Sequence, residues 1–313
     1  ITYDDAMKLY GSDKPDLRYQ GKIAFSIAVD EGVALEGLLL KGRGRSSLNR
    51  DESTEWCLPV EGLKSKEILR TFTHNQSEGT LNKWHGNNLK NCPFITESEI
   101  DSITKRLEGD LGLNLGPRDC LLLQKRDLTA NTGMTCLGRA RLAAMQLVLQ
   151  DQLSEADEFI WVHSFPLFKR ASPESRSENP LRRFDSMHHP FTAPFESDNE
   201  LFNLSDSQLL LKVRAQHYDL VLNGQEIGGG SVRIHDAEFQ ESLMRNLLGM
   251  SVKQIDHFSH LLRALKLGAP PHAGMALGLD RLIAILAKKS SIREVIAFPK
   301  NSSGYDLCFK APS

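Results

Sequence analysis

The stretch from Gln216 to His235 constrains the fold of this chain more than any other segment. Asn223-Gly224 stands there between two runs rich in apolar residues. Asn-Gly is the strongest short-range signal for a β-hairpin, because a type I′ turn needs two residues with positive φ. Such a turn also fixes the register, so that Leu222 faces Gln225 and Val221 faces Glu226. The sequence therefore predicts an antiparallel hairpin.

Two carboxylates of this hairpin are predicted to project from the same face. Asp219 and Val221 are two residues apart and share a face, and Asp219 lies diagonally from Glu226 in this register. Two close carboxylates repel each other unless a cation lies between them, so the pair predicts a metal site. The alternative is that both carboxylates lie on the solvated face of an edge hairpin.

The glycine run 228–230 and Arg233 follow directly. Three glycines allow a ligand to approach the backbone, and an arginine offers a planar fork to a carboxylate or phosphate. Glu226 and Arg233 are seven residues apart and would point to opposite faces of an unbroken strand, so we expect a bulge at the glycines. The alternatives are that the three glycines form only a flexible bulge and that Arg233 is the partner in a surface ion pair. Together, these features indicate a site for a magnesium-bound anionic nucleotide and an acidic co-substrate.

A second element lies near the end of the chain. After a Pro/Gly turn, a short apolar strand at 275–277 leads into an apolar helix that begins at about Leu279. Gly278 lies at this junction, where a flat ligand can rest against bare backbone. Arg281 lies in the first turn, where the helix dipole favours anions, so a cation there indicates an anion bound beside it. The alternative is an arginine paired with Asp280 or Glu294.

Several segments carry a resemblance to a known family. Residues 268–282 resemble motif 3 of the class II aminoacyl-tRNA synthetases. Residues 187–194, 218–235 and 291–300 are together similar to the bacterial and mitochondrial type of aspartyl-tRNA synthetase. The segment from Tyr10 to Arg18, Tyr-Gly-Ser-Asp-Lys-Pro-Asp-Leu-Arg, matches the one that follows motif 2 in that family. The resemblance is strong over residues 1–18 and 159–313 and weak over most of 19–158.

The resemblance implies roles for particular residues. Asp219 and Glu226 would hold a magnesium ion that bridges the phosphates of ATP, and Arg233 would bind the side-chain carboxylate of aspartate in a bidentate contact. His188 and His189 would line the aspartate pocket, the alternative being a structural or solvent-facing pair in a Pro-rich loop. The catalytic groups would be Arg233, Arg281 and Glu226, and the ATP site would comprise Glu226, Gly278, Leu279, Asp280 and Arg281.

The implied activity is that of an aspartate–tRNA ligase, which activates L-aspartate with ATP and transfers it to tRNA(Asp). In this family motif 1, the motif 2 arginine and the anticodon-binding barrel precede the segment that matches Tyr10–Arg18. We therefore expect the C-terminal portion of a longer, homodimeric protein. One alternative is a catalytically inactive fragment that binds tRNA or a partner. An asparaginyl-tRNA synthetase shares the core, but the run 228–235 and the insertion disfavour it.

Composition agrees with a two-domain globular protein. The chain has 313 residues, of which 40% are hydrophobic and 25% charged, with a formal net charge of −2. No apolar run approaches the roughly 20 residues that span a bilayer, so no membrane association is expected. The five cysteines are scattered without a Cys-x-x-Cys pair, so neither zinc nor a disulfide framework is indicated. The compartment implied is the mitochondrial matrix, or alternatively a bacterial cytoplasm.

The predicted fold class is α+β, with an antiparallel class II synthetase sheet flanked by helices. The catalytic domain is expected over residues 1–18 and 159–313, and an α+β insertion domain over 19–158. The pattern predicts strands at 23–29, 34–40 and 159–163. The predicted helices cover residues 3–10, 97–107, 138–153, 238–248 and 253–267.

Overall fold

The computed structural model describes residues 1–19, 21–30, 32–40, 70–73, 120–128, 133–147, 153–178, 182–203, 209–306 and 308–311. The chain divides into two compact units. One, the N-terminal unit, is Tyr3–Glu158, and the other, the C-terminal unit, is Ile1–Thr2 with Phe159–Ser313. Both combine helices with antiparallel sheets, so the predicted α+β class is confirmed.

The N-terminal unit is built on one four-stranded antiparallel sheet with strand order β1-β2-β4-β3. Its described elements, in chain order, are α1 (Tyr3–Tyr10), β1 (Ile23–Asp30), β2 (Val33–Leu40), β3 (Arg70–Thr73), β4 (Cys120–Asp127) and α2 (Cys136–Leu147). The strands predicted at 23–29 and 34–40 and the helix predicted at 3–10 are confirmed. The helix predicted at 138–153 begins two residues earlier, at Cys136. The helix predicted at 97–107 lies outside the described residues.

The core of the N-terminal unit forms between the sheet and α2. Leu38 of β2, Leu122 of β4 and Leu137 of α2 are fully buried in one apolar cluster. The small side chains Ala140 and Ala144 face this cluster from α2, so the helix approaches the sheet closely. Leu137 and the alanines recur at three- and four-residue spacing, which places them on one helix face.

The C-terminal unit carries a second four-stranded antiparallel sheet, with strand order β10-β9-β8-β5. Its strands are β5 (Phe159–His163), β8 (His217–Leu222), β9 (Gln225–Val232) and β10 (Ala273–Leu277), and a two-stranded sheet pairs β6 (Phe168–Arg170) with β7 (Phe184–Ser186). The strand predicted at 159–163 is confirmed. The β8–β9 hairpin lies at the centre of the larger sheet, so each of its strands is paired along both edges.

The described part of the C-terminal unit also contains five α-helices. They are α3 (Pro173–Glu178), α4 (Ala237–Ser242), α5 (Val252–Asp256), α6 (Ser259–Lys266) and α7 (Leu279–Leu286). A π-helical turn, Leu243–Leu247, continues α4, and short 3-10 turns cover Glu196–Asn203, Leu209–Lys212 and Ile292–Glu294. Among the described residues, no helix has the length and apolar character needed to cross a membrane.

The single helix predicted at 253–267 is wrong, because the chain forms two helices, α5 and α6, with a break at residues 257–258. Phe258 has φ −101° and ψ 9° at this break. Its ring packs against Met244, Ile255 and Leu262 and meets the Phe191 ring at 5.3 Å between centroids. This partly buried ring makes the tertiary contacts at the break, where local helix propensity alone would continue the helix.

The boundary between the units differs from the sequence-based one, which placed residues 3–18 with the C-terminal segment. Thr135 N donates to Gly11 O at 2.7 Å, and Ser12 forms a bridge with Met134. The Arg141 guanidinium of α2 also donates to Asp16 O at 2.8 Å. These contacts hold the segment after α1 against α2, within the N-terminal unit.

Candidate active site

The β8–β9 turn has the predicted geometry. Asn223 and Gly224 have φ of 50° and 79°. Leu222 pairs with Gln225, and Val221 pairs with Glu226, as the two-residue turn requires. The predicted register at the turn is therefore confirmed, and the sequence alone sufficed to define it.

The bulge in β9 lies at Ile227, not within the glycines where we expect it from sequence. Leu220 pairs with Gly228 while Val221 pairs with Glu226, so Ile227 is the extra residue. One extra residue reverses the alternation of side chains along the strand. By this register Glu226 and Arg233, seven residues apart, fall on the same face. Ile227 is buried, so apolar packing at that residue fixes where the bulge forms.

The three glycines keep β9 free of side chains because protein atoms occupy that space. A Cβ on Gly228 would lie 2.6 Å from Ala276 O of β10. A Cβ on Gly230 would overlap Gly274 O, and one on Gly229 would overlap the Asp219 carboxylate. From sequence we expect a ligand to approach this backbone. In this structure, β10 and Asp219 approach it instead.

Asp219 is held by a histidine that the sequence analysis did not single out. His217 and Asp219 are both buried, and His217 Nε2 lies 3.0 Å from Asp219 Oδ1. The His217 ring stacks on His188, with 3.8 Å between centroids and 18° between planes. The Phe165 ring meets both imidazoles edge-on at 5.0 Å. Asp219 is thereby fixed in orientation and connected to the predicted aspartate pocket.

His189 and Arg233 form a second contact of this site. Arg233 Nη1 donates to His189 Nε2 at 2.7 Å. Burial, together with the nearby Arg233 charge, lowers the pKa of His189 to about 4. His189 is therefore neutral at pH 7 and accepts this bond. The backbone of Arg233 is fixed by its bridge with Thr192 and by donation from its N–H to His272 O at 2.9 Å.

The Arg233 side chain has no carboxylate partner among the described residues. Its hydrogen bonds there go to His189 alone, and no ion pair of the described residues includes it. A guanidinium has five N–H donors, so most of them remain available. A cation beside a neutral imidazole, without an acid of its own, is suited to bind an acidic ligand.

The start of α7 is joined to the bulged end of β9. Gly278 N donates to Ile227 O at 2.7 Å, and Arg281 Nη1 donates to Glu226 O. Within the described part of the chain, Arg281 pairs with neither Asp280 nor Glu294, so that alternative is wrong. Leu279 and Asp280 are exposed beside them. The two sequence elements singled out independently therefore meet along β9.

The donor set of this region suits a cation that takes few protein ligands. The described residues contain no group of three or more His, Cys, Asp or Glu side chains arranged for a metal ion. Asp219 and Glu226 offer hard oxygen donors, and Asp219 keeps a second oxygen beside the one that faces His217. Magnesium is commonly held by one or two carboxylates together with substrate phosphates and water. The residues present fit that mode of binding.

Three further polar groups of the site were missed by the sequence analysis. His217 Nδ1, Ser231 Oγ and Gln240 Oε1 are buried and lack a hydrogen-bond partner within the described residues. His217 and Ser231 are paired across β8 and β9. Period-two spacing from Asp219 was a signal that could have identified His217. Gln240 is brought to the site only by tertiary packing, so no local pattern indicates it.

Comparison with known proteins gives the family. Residues 1–302 match the tRNA synthetases class II (D, K and N). The mitochondrial aspartate–tRNA ligase of Homo sapiens is 40% identical over 329 residues, which cover 100% of this chain and 46% of that protein. That of Schizosaccharomyces pombe is 35% identical over 323 residues, with coverage of 100% and 49%. The aspartate–tRNA(Asp/Asn) ligase of Dictyoglomus turgidum is 36% identical over 334 residues, with coverage of 100% and 50%.

The chain spans about half the length of the curated relatives it matches. The family match nevertheless extends over both compact units, from the first residue to beyond α7. It includes every residue of the candidate site described above. The chain therefore belongs to the class II tRNA synthetases of the D, K and N group.

Proposed function

We propose that the protein is an aspartate–tRNA ligase. The observation that carries this proposal is Arg233, a guanidinium in the candidate site with no acidic partner among the described residues and a neutral imidazole as its neighbour. The family comprises enzymes for Asp, Lys and Asn. A cation at the side-chain position favours aspartate, repels lysine and gives asparagine a single acceptor oxygen. The names of the relatives cited above support the same choice.

The proposed reaction is attack of the aspartate α-carboxylate on the α-phosphorus of ATP, with loss of pyrophosphate, followed by transfer to tRNA(Asp). Arg233 holds the side-chain carboxylate, and His188 and His189 line its pocket. Arg281, with Gly278, Leu279 and Asp280, adjoins the nucleotide. No side chain needs to form a covalent intermediate, because positioning and charge stabilisation lower the barrier.

Asp219 and Glu226 would hold magnesium in this proposal. When bound, the ion would neutralise charge on the ATP phosphates. The hydrogen bond from His217 and the ring stack on His188 keep Asp219 in one orientation. The Arg281 bond to the Glu226 carbonyl fixes the backbone beside the second carboxylate.

The division into functional domains is part of the same proposal. All nine proposed site residues lie in the C-terminal unit. We assign that unit to catalysis and most of residues 19–158 to an insertion. The proposed partners are tRNA(Asp) and a second copy of the protein in a homodimer. Relatives include mitochondrial and bacterial enzymes, and we propose the mitochondrial matrix, with a bacterial cytoplasm as the alternative.

Amino-acid-dependent ATP–pyrophosphate exchange tests the proposal. The intact protein, meaning this chain together with any residues of the protein beyond it, should exchange pyrophosphate with L-aspartate. It should exchange with neither L-asparagine nor L-lysine at the same concentration. Exchange with either of the other two would overturn the substrate assignment. Absence of exchange with every amino acid, in a folded protein that still binds tRNA, would support the alternative of an inactive binding module.

A further inference from the structure

Gln240 of α4 makes a buried hydrogen bond to the loop that carries the two histidines. Its side chain is fully buried, and Nε2 donates to Pro190 O at 2.7 Å. That bond fixes the amide orientation, since only the nitrogen can donate to a carbonyl. Oε1 then points away and has no hydrogen-bond partner within the described residues. A methionine would fill a similar volume without burying an unpaired oxygen.

The loop around Pro190 is fixed by backbone contacts on either side. Before the histidines, Met187 N donates to Leu167 O at 3.0 Å. After them, Ile234 N donates to Phe191 O at 3.0 Å, and Ala193 N donates to Val232 O at 2.9 Å. Between these anchors, the Pro190 carbonyl receives its hydrogen bond from the Gln240 side chain.

The histidine next to Pro190 is the one that contacts Arg233. His189 Nε2 accepts from Arg233 at 2.7 Å, and His189 is only partly buried. A small displacement of the loop would move this acceptor away from the guanidinium. Arginine has several rotatable bonds, so an unrestrained Arg233 would have to be ordered again when a ligand binds.

We propose that Gln240 is a positioning residue for recognition of the acidic side chain. It holds the Pro190 carbonyl, which places His189, which in turn holds Arg233 in the orientation that binds a carboxylate. This inference rests on the proposed function, because it takes aspartate as the ligand of Arg233. Gln240 itself touches neither proposed substrate; it acts through the loop.

The chain contains a matched control for this bond. Gln216 Nε2 donates to Pro194 O, also at 2.7 Å. The two glutamines therefore make the same kind of bond to a proline carbonyl, at opposite ends of the same loop. Pro194 is five residues from His189, whereas Pro190 is adjacent to it. Gln216 is only partly buried, so it controls for loss of this kind of bond rather than for burial, and only loss of the Pro190 bond should affect the pocket.

The test compares Gln240→Met with Gln216→Met in the intact protein by pyrophosphate exchange and thermal unfolding. Gln240→Met should raise KM for aspartate about tenfold, in line with one lost hydrogen bond, and leave KM for ATP within about twofold. Gln216→Met should leave both KM values within about twofold, and the Tm of each variant shows whether it is folded at the assay temperature. Equal effects of the two substitutions on KM for aspartate, or parallel rises for aspartate and ATP, would overturn the inference.

A double substitution tests the route of action. In a His189→Asn background, Gln240→Met should add less than about twofold to KM for aspartate, because both changes remove the same contact. Independent, multiplying effects would contradict a route through His189. If Gln240→Met does not fold, Gln240→Asn retains the amide but is too short to reach Pro190, and the same outcomes apply. A wild-type protein without aspartate-dependent exchange would instead refute the proposed function.

Discussion

Two arginines, one in each compact unit, differ in the hydrogen-bond acceptors that surround their guanidinium groups. Arg141 of the N-terminal unit is 1% exposed. Its Nε donates to Gly21 O at 2.7 Å, and its Nη2 donates to Asp16 O at 2.8 Å and Tyr19 O at 2.6 Å. The rings of Tyr10 and Tyr19 lie within 5.4 Å of the guanidinium. Burial lowers the pKa of Arg141, and nearby Asp16 opposes that shift.

Arg233 of the C-terminal unit is only partly buried, and its described side-chain contact is a neutral histidine. Three backbone carbonyls, whose positions are fixed by the fold, accept hydrogen bonds from Arg141 and leave few of its N–H donors unused. A single imidazole leaves most donors of Arg233 available. The difference is consistent with the proposal that Arg141 is structural and Arg233 binds a ligand: the acceptors that surround a guanidinium are more informative than its burial alone.

The largest expected effect comes from removing the structural cation. Arg141→Met leaves three buried carbonyls without donors, and we expect a loss of about 4 kcal/mol or more in the free energy of unfolding of the N-terminal unit. Urea unfolding, with hydrogen exchange at residues 10–19 as a local probe, measures this loss. Arg233→Leu is the matched control and should cost less than about 1 kcal/mol. Similar losses for the two variants would remove the distinction.

The second effect concerns Arg233, which we propose to bind the substrate side chain. Arg233→Leu should lose at least about 3 kcal/mol of transition-state stabilisation with aspartate, because the substrate carboxylate is left unpaired in the pocket. The ratio kcat/KM should accordingly fall by a factor of about 100 or more. Steady-state exchange kinetics of the folded variant measure this change. A decrease of less than about fivefold would mean that another group binds the side chain.

The smallest effect is a pH dependence of stability that arises from His189. Its folded pKa of about 4 lies below the ordinary value of 6.5, so the unfolded chain binds a proton between these values that the folded chain does not. Stability should therefore be complete above pH 6.5, fall as the pH decreases, and level off below about 4. Urea midpoints at three pH values should show a flatter profile for His189→Asn. Identical profiles would place the proton uptake elsewhere.

The features that follow from local chemistry could be predicted from the sequence. Asn223-Gly224 determined the turn and its register, and the apolar pattern after Gly278 determined where α7 begins. The pairing of Asp219 with a histidine two residues away was also accessible, since alternate residues share a strand face.

The features that depend on tertiary packing could not be predicted. The bulge lies at the buried Ile227, and the break at residues 257–258 lies where the partly buried Phe258 ring contacts Met244 and Phe191, which are distant in sequence. Gln240 and Pro190 are fifty residues apart, and Arg141 reaches carbonyls more than a hundred residues away. No window of sequence contains both partners, so patterning cannot reveal such contacts.

Discrimination between aspartate and asparagine tests the central claim most directly. The ratio of kcat/KM for the two amino acids should be measured by pyrophosphate exchange for the intact protein and for Arg233→Leu. A guanidinium that has no acidic partner can donate two charge-assisted hydrogen bonds to a carboxylate. An amide accepts at only one oxygen, and its NH2 group would face the N–H donors of the guanidinium. We predict a strong preference for aspartate that becomes much smaller in the variant. An unchanged ratio would contradict the account and place specificity at another residue.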